Sequence, residues 1–273
     1  MSGVLRRGTV CLALLIFVAG CTSALREPPP VTEIGAPKQM ADADVADPGD
    51  VLARAELEFD RRPDTEAVAR SQALYLEAIR IDETPAEAFL GAAQTTAWLL
   101  EHEADADRRE ALSVEGVQIG QHCVRLYPSE IDCTYRLALA VGQQARERPS
   151  TAVDGLDVMV ELLEEVIEAE PDLDFAGGDR VLALVLLRAP GWPTGPGEPE
   201  GGLTHAQAAV GAFPDYAPNQ LVLAEALLEN GRREEARQAF ERSAELAGSR
   251  RNAGDPDAAE WLAEAEQALA ESF

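Results

Sequence analysis

Cys123 and Cys133 stand ten residues apart on either side of Tyr127-Pro128-Ser129. Positions at similar distances from a turn can face each other across a helical hairpin, and two thiols so placed in an oxidising compartment would join. We expect a disulfide that staples consecutive elements. Two other arrangements stay open: a pair of small buried packing residues, or a metal site with His122 that lacks a fourth ligand at metal spacing. His102, His122 and His205 are scattered, and the sequence contains neither His-Glu-x-x-His, nor a phosphate-binding glycine loop, nor Gly-x-Ser-x-Gly. Glu161, Glu164, Glu165 and Glu168 resemble paired catalytic carboxylates only until they are placed on a helix. There they form one stripe opposite Leu162, Val166 and Ala169, as a solvated face does. Arg180, behind Gly177-Gly178, opens an otherwise apolar helix; it is a candidate to bind a carboxylate ligand or to pair with Asp172, Asp174 or Asp179. No constellation here assembles an enzyme, and we expect neither catalysis, nor a cofactor, nor a metal.

These residues must be positioned by helices. Pro85, Pro128, Pro171 and Pro214 recur every 43 residues, each after a stretch that reads as the end of an amphipathic helix. Proline cannot continue a helix interior, so it punctuates a repeat. Helices are expected over 65–81, 85–101, 107–126, 129–145, 151–170, 177–188, 199–212, 217–229, 232–247 and 256–270, and no stretch alternates as a strand would. The last full unit, 217–248, places Leu223, Ala224 and Leu227 on one helix, Gly231 at the turn, and Ala236, Phe240 and Ser243 on the next. That spacing is similar to a tetratricopeptide repeat, without its usual tryptophan and tyrosine. The expected fold is therefore all-α: tetratricopeptide-like hairpins stacked into an α-solenoid, which usually offers a concave surface for binding.

The surplus over an ordinary repeat falls in the hairpin ends at 103–107, 146–150 and 189–199. The third, Ala189-Pro190-Gly191-Trp192-Pro193-Thr194-Gly195-Pro196-Gly197-Glu198-Pro199, is stiffened by four prolines and holds Trp192 in one place. Trp192 either folds over the hairpin end or stands out for a partner. Just before it, 181–187 is apolar on every face; it is a helix enclosed by its neighbours, or one whose Leu182, Val185 and Leu186 line a subunit interface or an apolar cavity.

The chain opens with Arg6-Arg7, an apolar run over 10–19 that is too short to span a bilayer, and Val18-Ala19-Gly20-Cys21. This resembles a bacterial lipobox. The resemblance implies a signal peptide over 1–20, cleavage before Cys21 and lipidation there, with outer-membrane residence favoured because Thr22, not aspartate, follows. Loss of Arg6 and Arg7 would take the formal charge from -26 to -28, which argues against nucleic acid and against wide contact with anionic headgroups. Residues 21–47, with Pro28-Pro29-Pro30 and Pro37, read as a linker between lipid and a helical-repeat domain over 48–273.

Lipobox, enlarged hairpins, Gly177-Gly178-Asp179-Arg180 opening a helix and Ala189-Pro190-Gly191-Trp192-Pro193 before the next together resemble the T-component lipoproteins of TRAP transporters, the TatT family. The likeness is strongest over 127–246 and weak before Thr65. It implies a periplasmic, lipid-anchored protein that trimerises around a central pore, works beside a periplasmic solute-binding protein and takes an apolar or organic-acid ligand. The rival expectation is an envelope assembly scaffold that grips other proteins in its groove.

Overall fold

The computed structural model describes residues 25–34, 48–81 and 85–273. They contain eleven α-helices and no strand: α1 (Pro48–Phe59), α2 (Thr65–Ala78), α3 (Ala86–His102), α4 (Ala106–Leu126), α5 (Ile131–Glu147), α6 (Ala152–Ala169), α7 (Gly177–Arg188), α8 (Pro199–Ala212), α9 (Ala217–Glu229), α10 (Arg233–Asn252) and α11 (Ala258–Ser272). Each packs on the next in chain order. Ten of them fall where the proline period and the apolar spacing put them. The eleventh, α1, has no expected counterpart, and α10 runs five residues past Ala247.

Local chemistry sets the boundaries. Asp64 caps α2 by accepting from the Glu66 and Ala67 amides, and Asp105 caps α4 by accepting from the Arg108 amide. Gly231, at φ +73°, turns α9 into α10. Small residues set the spacing between helices: a Cβ on Gly120 would lie 2.9 Å from the Leu137 Cα, so α4 and α5 approach as closely as backbone permits. Cys123 and Cys133 form a disulfide between those two helices, with Cα atoms 5.3 Å apart.

Beyond the consecutive pairs, the odd-numbered helices touch one another: α1 with α3, α3 with α5, α7 with α9, and α9 with α11. No two even-numbered helices pack together to the same extent among the described residues. That series thins between α5 and α7, and consecutive packing is also weakest at α6 and α7. The acidic stripe on α6 is solvent-exposed, while Met159, Leu163 and Val166 of the same helix are buried.

Two expectations need correction. Residues 25–34 are no free spacer. They run along α4, with Ile34 fully buried beside Cys123 and Cys133 and with Leu25 packed on the core shared by α5, α6 and α7. Fixed proline dihedrals lower the entropy lost when such a segment docks, which is why it lies down instead of floating. Leu182 and Val185, expected at a subunit interface or a cavity, are buried in that same α5–α6–α7 core, and Leu186 packs against it. α7 is covered by its own chain. Cys21 and the expected signal peptide over 1–20 lie outside the described residues.

Candidate functional site

The chain from α6 to α7 passes through Asp174, Phe175 and Ala176, whose φ angles are 50°, 57° and 60°. Three consecutive non-glycine residues in the left-handed region are costly, on the order of 1–3 kcal/mol each, and persist only where their surroundings over-determine them. Arg180 supplies much of that constraint. One guanidinium nitrogen donates to the carbonyls of Asp174 (2.9 Å) and Phe175 (3.2 Å) and to Asn219 Oδ1 (3.1 Å). The other donates to Asp174 Oδ2 (2.6 Å) and, more weakly, to Tyr135 Oη at 3.4 Å, while Tyr135 Oη donates to Asp174 Oδ2 at 2.7 Å. Asn219 adds bonds from Nδ2 to the carbonyls of Phe175, Ala209 and Phe213. Gly177 is required because a Cβ there would sit 2.5 Å from Tyr135 Oη.

Arg180 and Asn219 are buried, and burial pushes the Tyr135 phenol far above its ordinary range. Of the two roles open to Arg180, the geometry has it pairing within the chain. It holds the turn and faces no open groove.

What the turn presents is an aromatic row. Phe175, 43% exposed, stacks on Tyr216 at 4.4 Å and meets Phe213 edge-on at 5.7 Å. Tyr216 meets Trp261 edge-on at 5.6 Å. Arg250 lies over both Phe175 (5.7 Å) and Tyr216 (5.2 Å), with its charge paired to Asp255 at 3.2 Å. Burial raises the Tyr216 phenol, so the row stays neutral at neutral pH.

Trp261 continues the row into a cavity of about 280 Å³ that it lines with Phe59, Arg62, Trp98, Gln143 and Glu260. No protein-family model matches this chain, and no curated protein is a significant match to it. Two polar contacts cross the cavity and bring the start of the array against its end. Arg62 lies 3.4 Å from Asp257, and His102, stacked on Trp98 at 3.6 Å, lies 3.0 Å from Glu260. Desolvation raises the Asp257 carboxyl, against the pull of Arg62. The wall can therefore bind flat apolar or aromatic groups, with arginine and carboxylate at its margin for orientation.

Trp192 stands apart from this wall. It is 90% exposed on the α7–α8 loop, which is held by hydrogen bonds from the Gly197 amide to the Pro190 carbonyl and from the Glu198 amide to the Leu186 carbonyl. It does not fold over the hairpin end. Sequence reasoning missed Phe175, Tyr216, Trp98 and Trp261. They lie far apart in the chain, and the only local signal was the Gly177-Gly178 pair, which marks close packing but not the left-handed turn before it.

Proposed function

We propose that this chain is a non-enzymatic, lipid-anchored binding protein of the cell envelope. Its hairpins would wind into a tetratricopeptide-like superhelix whose inner wall receives a protein partner. The observation that carries this is the continuous row from Phe175 through Tyr216 and Trp261 to the cavity beside Trp98, held open by a strained turn. Strain kept at a half-exposed aromatic is a cost that packing alone does not call for, and large rigid aromatics are the usual anchors of binding surfaces. Trp192, stiff and exposed, supplies a second contact of the same kind.

The likeness to the T-component lipoproteins of TRAP transporters makes the partner a periplasmic solute-binding protein, and makes the cavity a place for the apolar part of an organic acid. Cys21 would carry the lipid at the outer membrane. Self-association, including the trimer the likeness implies, would use surfaces other than Leu182 and Val185. The test is co-purification of a periplasmic solute-binding protein with the acylated chain, compared with Trp98→Ala and Trp261→Ala. We expect the variants to fold and to lose the partner; retention by both would sink the inner-wall reading.

A further inference from the structure

The segment 25–34 runs along α4, and the residues it packs on are not those of the aromatic wall. Arg26, Glu27 and Pro28 lie beside Gln144 and Arg148, where α5 ends. The Pro29 carbonyl accepts from His122 Nε2 at 2.7 Å, because Arg125 donates to Nδ1 at 2.6 Å and so fixes the proton on the other nitrogen. The Ile34 carbonyl accepts from Arg80 at 2.6 Å, and the Ile34 side chain is fully buried near the opposite end of α4. A strap held at both ends by apolar burial and in between by a buried histidine has a direction: Leu25 points to the α5–α6 end, Ile34 to the α4–α5 turn.

Only four residue steps separate Leu25 from Cys21, a reach of at most about 14 Å. A free tether from Cys21 to Pro48 would reach up to about 90 Å. We propose that residues 25–34 are an orienting strap that seats the α5–α6 end of the array against the lipid surface, so that the body is held close and in one attitude. This rests on the reading of Cys21 as the lipidated residue. Two of the acids at this end have arginine partners, which lowers the local negative charge: Glu147 pairs with Arg109 and Arg146, and Glu110 with Arg148. Val153, at the start of α6, is 58% exposed there and suits an interface with lipid.

The test uses the full acylated chain in phosphatidylethanolamine–phosphatidylglycerol vesicles whose headgroups carry a nitroxide quencher. A fluorophore is attached at Val153→Cys or at Ser129→Cys, which the length of α5, about 25 Å, keeps apart. Quenching several-fold stronger at 153 than at 129 is expected, and equal quenching overturns the proposal. A flexible insert of about twelve Gly/Ser residues between Ala24 and Leu25 leaves every packed residue in place. With the strap docked it abolishes the difference; if the difference survives the insert, short-range tethering through the strap is overturned. An N-terminal peptide whose mass lacks acyl chains at Cys21 would instead remove the lipid-anchor reading, separately from the docking of the strap.

Discussion

The strapped face along α4 and the aromatic wall at the α6–α7 turn are built on opposite plans. Along α4, every device adds constraint: a disulfide to α5, a glycine that brings two helices into backbone contact, and a proline-rich strap laid over the top. At the α6–α7 turn, packing between consecutive helices is weakest, three residues hold an unfavourable dihedral, and a buried arginine keeps them there. The first region is stable through several separate devices. The second depends on a single connected cluster centred on Arg180, which suits a surface that must present aromatics to something else.

The contrast can be broken most strongly at Arg180. Replacing it with methionine takes the charge partner from Asp174 and the donor from the Asp174 carbonyl and Asn219 Oδ1, and should cost about 3–5 kcal/mol in urea unfolding, as removing one partner of a buried pair does. Removing both cysteines together should cost less, about 2–3 kcal/mol, because the loop they close is short and the face along α4 has other supports. If the double cysteine variant proved the more damaging, the division into redundant and dependent regions would be mistaken.

A pH titration sharpens the half of the comparison that concerns α4. Burial, chiefly, with Arg125 adding to it, depresses the His122 pKa below its ordinary 6.5. The folded form favours the neutral ring, so the stability it contributes is present above pH 6.5 and is lost as pH falls through the depressed folded value. The protection factor of the Ile34 backbone N–H, taken relative to its intrinsic exchange rate at each pH, should fall on acidification in the wild type, and His122→Gln should flatten that dependence. The smallest effect on stability belongs to Trp192→Ala. It should stay within about 0.5 kcal/mol by thermal unfolding while weakening capture of the partner, since an exposed loop side chain supports nothing beneath it.

The helices were legible because proline spacing and apolar periodicity are local signals, and ten of eleven follow them. α1 was not, since Pro48-Gly49-Asp50 continues the composition of the linker before it. The strap was hidden for the same reason: Pro28-Pro29-Pro30 reads as a spacer whether or not a groove lies in wait, and only the tertiary position of His122 and Arg80 decides. The aromatic wall was the least legible part. Phe175 belongs to a turn whose left-handed residues are not glycines, and Trp98 and Trp261 line one cavity only because the ends of the array come together. Arg180 drew notice from its sequence context, yet its role depended on Tyr135 and Asn219, more than thirty residues away on either side.

The meeting of Arg62 with Asp257 and of His102 with Glu260 has a further consequence. Stacked arrays normally lengthen by duplicating a unit, since each unit needs only its neighbours. Here the first and last turns are each other's neighbours, so one more hairpin in the middle would push them apart and one fewer would drive them into collision. The number of helices between these contacts has become a fixed dimension, like the number of staves in a cask, and length can change freely only in the loops.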